Sequence, residues 1–391
     1  MTTPPATQTA TPTTAGPGAL RPLFSLDIDP RDRLLLFDIA DDETYVAMEI
    51  QGFDDAVHGH GLLVLLARHD GTVDIYRQPG LRLERGPFSI GRGIGEWRET
   101  EIDPARLAIH PDGVDVEIGL VDAGGRRITV RIDDRDGTPR KRATLLAPVG
   151  SGVADPRQFF VVLMRDFDLG RTSGIEPRLT VDGEHRTIRP FPGPARLHRR
   201  RFIRYSADPI IAILNPDHDG PVDTATLGPL SSVGAHDGST TATLRFLPSI
   251  PDLTELHSAR AASGAWWLDV ADQPALTGGD WTARRTDDIV DITLAVTRPW
   301  RPRDLPLSLR LVTTLARVFR DWPTTYRWDA RIDLAADPPH LRASWSRTTG
   351  PDATNPYRVR RLPARVVAAV SAVVGTVLVA RRIATRRRSR P

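Results

Sequence analysis

The segment YRWDARIDL, residues 326–334, shows the clearest alternation of apolar and charged side chains in the chain. Successive side chains of a β-strand point to opposite faces, so this pattern predicts a strand with one buried and one solvated face. Leu341, Ala343 and Trp345 repeat the alternation after a polar loop that contains prolines. The two segments are therefore predicted to pair as neighbouring strands.

Elsewhere in the chain, short apolar or alternating runs are separated by glycine-containing turns. Asp70-Gly71 separates the runs 62–68 and 73–77, and this dipeptide suits a tight hairpin because it tolerates positive φ. Similar turn signals stand at 112–113, 124–125, 136–137, 182–183 and 237–238. Strands with this punctuation are typical of antiparallel sheets rather than βαβ units. The predicted fold is mostly β, with two antiparallel β-sandwich or lipocalin-like barrel units.

The chain divides into four predicted regions. Residues 1–21 are rich in Thr, Pro and Ala and are predicted to be disordered, because they cannot bury enough surface to offset the entropy of ordering. A proline-rich stretch near 190–196 separates a first antiparallel β domain, residues 22–190, from a second, Trp-rich domain, residues 197–349. One short helix is predicted in the second domain, where Leu311, Leu315, Val318, Phe319 and Trp322 follow helical spacing before a proline.

The fourth region, residues 358–391, carries ten arginines and no acidic residue. It contributes +10 to a net charge of +3, which leaves −7 for the rest of the chain. Its uncharged stretch 366–380 is bounded by Arg365, Arg381 and Arg382, and as a helix it would be about 22 Å long, shorter than a hydrocarbon core of about 30 Å. Arginines at both ends can extend that reach, so the region predicts a membrane-seeking helix whose partners are membrane lipids.

Two other interpretations of this tail stay open, a helix docked on its own body and a basic nucleic-acid-binding tail. The N-terminus has neither the basic region nor the continuous apolar region of a signal peptide. We therefore expect a membrane-associated protein with a cytoplasmic body. Because the body is acidic, no nucleic-acid partner is predicted for it.

The tryptophans supply the candidate ligand site. Seven of the eight lie between Trp266 and Trp345, and ligand pockets are mainly apolar and aromatic. The simpler interpretation is that they form the core and rim of the second domain. The candidate ligand-binding residues are Trp266, Trp267, Trp281, Trp328 and Trp345.

Two segments resemble metal sites. His58 and His60 would point to the same side of an extended strand, as two ligands of one ion must. Gly52, followed after five residues by His-x-His, resembles the opening of the cupin metal motif, although Val64 and Leu65 stand where that motif has its glutamate. The segment 215–220 resembles the start of a calcium-binding loop. The twelfth position of such a loop would be Thr226, where the motif has a glutamate. A solvated loop and a surface turn are the alternatives.

Two further segments are candidates for anion binding. The glycine-rich stretch 91–95 suggests phosphate binding, but no helix follows it to supply a dipole. The arginine-rich run 196–204 could clamp an anion, or it could form the polar face of a sheet. The chain has no cysteine, which excludes a thiolate nucleophile and a Cys-based zinc site.

Taken together, these features favour a membrane-associated β protein that binds an apolar or amphipathic small ligand. One alternative is an enzyme on a β scaffold, acting on an isoprenoid, lipid or carbohydrate through carboxylates or through His58 and His60. The other is a structural or interaction protein with no catalytic site. The sequence assigns no catalytic residue and no cofactor.

Overall fold

The structure is a computed structural model that describes residues 6–9, 20–86, 88–191, 199–257, 261–300, 305, 310, 313, 319 and 322–348. Strands make up 60% of it, which confirms the prediction of a mostly β protein, and one of its sheets is curved into a half-barrel. Within the described ranges, no helix has the length and apolar character needed to cross a membrane.

The strands follow one another along nearly the whole described chain. In order they are β1 (Ala6–Thr9), β2 (Leu26–Pro30), β3 (Arg33–Asp38), β4 (Tyr45–Asp55), β5 (Gly59–Arg68), β6 (Val73–Arg77), β7 (Ile94–Glu99), β8 (Ala105–His110), β9 (Gly113–Val121), β10 (Arg127–Asp133), β11 (Ala143–Ala147), β12 (Phe159–Arg171), β13 (Arg178–Val181), β14 (Glu184–Arg186), β15 (Arg200–Leu214), β16 (His218–Pro221), β17 (Leu230–Asp237), β18 (Thr240–Ile250), β19 (Ala262–Val270), β20 (Gln273–Thr286), β21 (Ile289–Arg298), β22 (Tyr326–Asp333) and β23 (His340–Arg347).

These strands form three sheets, which we call large, middle and small. The large sheet has the order β1-β17-β18-β19-β20-β21-β22-β23-β16. The middle sheet has the order β11-β12-β15-β3-β4-β5-β6-β7, with β2 also paired to β15. The small sheet has the order β14-β13-β10-β9-β8. Among the named strands, all pairs are antiparallel except β1 with β17 and β6 with β7.

The segment YRWDARIDL, residues 326–334, behaves as predicted. Strand β22 pairs with β23, and Trp328 stands opposite Trp345. The apolar positions of β22 are buried and the charged ones are mostly exposed. The predicted hairpin at Asp70-Gly71 is also confirmed, because it joins β5 to β6 and Gly71 has a φ of 91°.

The middle sheet is covered on both faces, and this creates three hydrophobic cores. Leu34 and Leu36 belong to a core shared with the inner face of the large sheet, whereas Leu35 and Phe37 belong to a core shared with the small sheet. A third core lies on β4, β5 and β6, beneath side chains of the segment 81–94 and of β7. Alternate side chains of β3 point to opposite faces of the middle sheet, so each face packs against a different sheet.

Several predicted regions fall partly or wholly outside the described residues. Of residues 1–21, the structure describes 6–9, which form β1, and 20–21. The predicted boundary near 190–196 is described only to residue 191, and the strand that follows, β15, pairs with β12 and β3. In the predicted helix, residues 310, 313 and 319 are helical. The tail 358–391, with Arg365, Arg381 and Arg382, lies wholly outside the described residues. The division into two domains stays a prediction.

Candidate functional site

A cleft of about 380 Å³ opens beside β7, at the edge of the middle sheet. Its wall combines three arginines, one aspartate and an apolar surface, the main residues being Arg85, Arg92, Arg157, Asp155, Phe88 and Ile90. We call this feature the arginine cleft. Its volume falls within the range of about 300–1,000 Å³ that is usual for small-molecule sites.

The first wall of the cleft is the segment that leads into β7. The amide of Arg92 donates to the carbonyl of Gly71 at 2.9 Å, and the amide of Gly93 donates to the carbonyl of Ile90 at 2.9 Å. Gly91 has a φ of 51°, and a Cβ atom there would lie 2.4 Å from the carbonyl oxygen of Gly71. Only glycine fits that close approach, which explains the glycine-rich sequence of the stretch.

The second wall comes from a distant part of the chain, residues 154–157. Ser89, on the first wall, holds this segment in place. Its hydroxyl donates to the carbonyl of Asp155 at 3.3 Å and accepts from the amide of Arg157 at 3.2 Å. The amide of Ala154 donates to the carbonyl of Gly91 at 3.0 Å. The two walls are therefore joined by hydrogen bonds, and they present Arg92 and Arg157 to the same cavity.

The apolar side of the cleft is continuous with a hydrophobic core. Phe88, Ile90 and Ile94 are partly buried against the third core. The ring of Phe88 meets Trp97 edge-on, with 5.1 Å between the ring centroids. A ligand in the cleft would therefore meet a fixed apolar surface as well as the arginines.

The arginines of the cleft differ from most of the other described arginines in their charge partners. None of Arg85, Arg92 and Arg157 forms a salt bridge with a carboxylate among the described residues, whereas nearby Arg77 pairs with Glu99 at 2.7 Å. With Asp155 as the one acidic residue of the lining, the cleft carries a net charge of +2. Guanidinium groups bind carboxylates and phosphates through paired hydrogen bonds, so the cleft is suited to an anion.

The predicted ligand-binding tryptophans lie elsewhere. Trp266, Trp281, Trp328 and Trp345 are buried in the core between the large and middle sheets. Trp267 is on the outer face of the large sheet, where the guanidinium carbons of Arg245 and Arg298 lie 5.9 and 4.9 Å from its ring centroid. The structure thus places four of them together but does not bring Trp267 to the others. Their ligand role stays a prediction.

The predicted metal ligands face different partners. His58 is 13% exposed and lies between Asp55, at 3.1 Å, and Asp29, at 3.3 Å. His60 is 78% exposed and lies 3.3 Å from Asp54. Because Asp54 and Asp55 are adjacent in β4, their side chains point to opposite faces and separate the two histidines. Among the residues that the structure describes, no three His, Asp or Glu side chains form a metal-binding group.

The other polar segments are engaged in structure. In the calcium-like segment, Asn215 Oδ1 accepts from the amide of Ser25 at 2.9 Å, and Asp219 pairs with Arg342 at 3.1 Å. In the arginine-rich run, Arg200 pairs with Asp168 at 3.1 Å. The glycine-rich stretch 91–95 is the exception, because most of it lines the arginine cleft.

Sequence analysis missed a set of buried polar residues on the middle sheet, which we call the polar belt. Glu49 is 4% exposed and accepts from Gln51 Nε2 at 2.7 Å, and Gln51 in turn accepts from Arg31 Nε at 2.8 Å. Asp38 is fully buried and forms a salt bridge with Arg204. The one signal in the sequence was the pair Glu49 and Gln51 within the apolar part of β4.

Three polar atoms of the belt have no hydrogen-bond partner among the described residues: Asp38 Oδ2, Glu49 Oε2 and Arg204 Nε. Leu36 pairs with Glu49 on one side and with Arg204 on the other, so these groups share one face of the sheet. Burial raises the pKa of Glu49 and of Asp38, although Arg204 opposes the shift in both. The belt is therefore a region where the charged form of a carboxylate is disfavoured.

Glu49→Gln is expected to change how stability depends on pH. The pKa of Glu49 lies above its ordinary value of 4.5 in the folded protein, so between 4.5 and the raised value the folded state holds a proton that the unfolded state has lost. Stability then falls as pH rises through that window, and glutamine removes this contribution. The free energy of unfolding of Glu49→Gln, relative to that of the wild type, should therefore increase as pH rises above 4.5.

Urea denaturation at a series of pH values measures this difference. Glu184→Gln removes the same charge from a side chain that is 72% exposed, and serves as the control. If the difference in free energy of unfolding between Glu49→Gln and the wild type is constant across the pH series, the raised pKa of Glu49 is contradicted.

No protein-family model, no curated protein and no solved structure matches this chain. Within the part of the chain that the structure describes, the arginine cleft combines a cavity with arginines that form no salt bridge.

Proposed function

We propose that this protein binds a small amphipathic anion in the arginine cleft. The observation that carries the proposal is the set of three arginines without salt bridges among the described residues, set beside an apolar wall in one cavity. The guanidinium groups would bind the anionic group, and Phe88 and Ile90 would contact the apolar part. This interpretation keeps the amphipathic ligand predicted from the sequence but moves its site away from the tryptophans.

The ligand is proposed to come from another molecule rather than from residues 1–26 or 358–391. Residues 1–26 contain no acidic side chain, and residues 358–391 contain ten arginines and no acidic side chain. Neither segment offers an acidic side chain that could neutralise the cleft. An exogenous anion is the simplest source of complementary charge.

The finer architecture and the location are part of the same proposal. Cores on both faces of the middle sheet support stacked β-sandwich units more directly than a lipocalin-like barrel with its ligand inside. Membrane association through residues 358–391 is supported by their sequence, with anionic lipids as the proposed partners. A cleft and a tail of the same charge would both favour anionic surroundings.

Substitution of the cleft arginines tests the binding proposal. Arg92→Gln and Arg157→Gln should each weaken the binding of hexyl phosphate about 10- to 100-fold, because each removes charge-assisted hydrogen bonds worth about 1.5–3 kcal/mol. Isothermal titration calorimetry on the full chain measures this effect.

Arg331→Gln is the matched control, since Arg331 is an exposed arginine on the outer face of the large sheet. Its affinity for hexyl phosphate should equal that of the wild type. Equal affinities for all four proteins, or no binding by the wild type, would reject the cleft as the ligand site.

A further inference from the structure

We infer that the anionic group recognised by the arginine cleft is the dianion of a phosphate monoester carrying a short apolar group. This inference rests on the proposed function and specifies its ligand class. It draws on three observations, namely the net charge of the cleft, the use of its backbone amides, and its size.

The charge of the lining sets the charge of the ligand. Among the residues that line the cleft, three guanidinium groups and the carboxylate of Asp155 leave a net +2. Asp217 lies outside this lining, and its carboxylate accepts from the amide of Trp345 at 3.3 Å. Arginine stays protonated at all ordinary pH values, so this positive charge does not vanish as pH rises. A ligand with two negative charges neutralises the cleft, whereas a singly charged one leaves an excess positive charge.

The backbone of the glycine-rich stretch does not form a phosphate cradle. The amides of Arg92 and Gly93 donate to the carbonyls of Gly71 and Ile90, so they are already used inside the protein. The arginine side chains are therefore the charged donors that we expect to contact the ligand. A phosphate monoester places both charges and three acceptor oxygens on one group, which several guanidinium forks can contact together.

The size of the cleft limits the rest of the ligand. About 380 Å³ is near the lower end of the range for small-molecule sites. Phe88, Ile90 and Ile94 provide an apolar surface on one side of it. A short aliphatic or aromatic group on the phosphate would fill that side, and a free phosphate ion would leave it uncovered.

Asp155 is the residue that we expect to set the charge preference. It supplies the negative charge that holds the lining at +2 rather than +3. Asp155→Asn should therefore shift the preference from monophosphates toward diphosphates. The ratio of affinities for hexyl diphosphate and hexyl phosphate should rise about tenfold, as expected for one charge near the ligand in a partly solvated site.

The pH dependence of binding distinguishes a phosphate monoester from other anions. A phosphate monoester gains its second charge near pH 6, while an alkyl sulfate keeps a single charge throughout. The charged side chains at or next to the cleft are Arg85, Arg92, Arg157, Asp155 and Asp217. Any titration of these protein groups affects both ligands in the same direction, so the sulfate profile serves as the reference.

The test compares hexyl phosphate, hexyl sulfate and inorganic phosphate by titration calorimetry on the full chain between pH 5 and pH 8. The affinity for hexyl phosphate should rise about tenfold across pH 6 relative to hexyl sulfate, and inorganic phosphate should bind at least tenfold more weakly than hexyl phosphate. Equal pH profiles for the two hexyl ligands would overturn the phosphate inference while leaving anion binding intact. Failure of all three ligands to bind would reject the proposed function itself.

The source of the phosphate is tested in a parallel arm. Vesicles of phosphatidylcholine with phosphatidic acid present the group on a membrane, and hexyl phosphate presents it in solution. If Arg92→Gln weakens binding to both, the cleft accepts a lipid head group. If it weakens only the binding of hexyl phosphate, the ligand is a soluble ester and the tail accounts for vesicle binding.

Discussion

Trp328→Ala is expected to lower the free energy of unfolding by about 3–5 kcal/mol, the usual cost of removing a large aromatic side chain from a core. Trp328 is 1% exposed in the core between the large and middle sheets. Its ring centroid lies 5.3 Å from that of Phe24, and it stands opposite both Leu294 and Trp345. Because neighbours on both sides of β22 are fixed by strand pairing, they cannot collapse into the space that the ring leaves.

This loss would be a large part of the stability of an ordinary domain, which is about 5–15 kcal/mol. Urea denaturation followed by far-UV circular dichroism measures it. Trp267→Ala is the control, because Trp267 packs between two arginines on the outer face and should cost only about 1 kcal/mol. Similar losses for the two variants would mean that the large sheet does not bury its inner face as described.

The core around Trp328 could be predicted because its information is local. In YRWDARIDL each apolar residue is separated from the next by a charged one, and a strand converts that order directly into two faces. The hairpin turns were equally accessible, since Asp70-Gly71 determines its own backbone geometry. The stacking of three sheets could not be predicted from the sequence, because β15 pairs with β12 and β3, which are distant from it along the chain.

The arginine cleft could be predicted only in part. The glycine-rich stretch 91–95 was visible as a candidate phosphate-binding segment, but the sequence offered no helix after it to supply a dipole. In the structure the site depends instead on Ser89, whose hydroxyl accepts a hydrogen bond from the amide of Arg157 in a distant segment. No spacing rule in the sequence connects Arg85 and Arg92 with Arg157.

The buried charged residues of the polar belt could not be predicted from the sequence either. Asp38 follows an apolar run in β3, and its ion-pair partner Arg204 belongs to a run that reads as a solvated sheet face. A local pattern distinguishes buried from exposed faces only where one face is consistently apolar. Where polar residues pair with each other inside the protein, the alternation is lost and the sequence predicts exposure.

Asp38→Ala is expected to lower the free energy of unfolding by about 3 kcal/mol. The substitution leaves the guanidinium of Arg204 in the belt without its carboxylate, and removing one member of a buried pair usually costs about 3–5 kcal/mol. The lower end of that range applies because the Arg204 side chain is 16% exposed and retains some contact with water. Asp208→Ala breaks the more exposed pair with Arg165 and should cost less than about 1 kcal/mol.

Replacing both members of the pair should reverse most of this loss. Burial raises the pKa of Asp38 despite the opposing effect of Arg204, so the ion pair does not fully offset the removal of its charges from water. The double variant Asp38→Leu with Arg204→Met is therefore expected to lie within about 1 kcal/mol of the wild type. A double variant as unstable as Asp38→Ala would show that the ion pair is favourable in itself, contrary to this expectation.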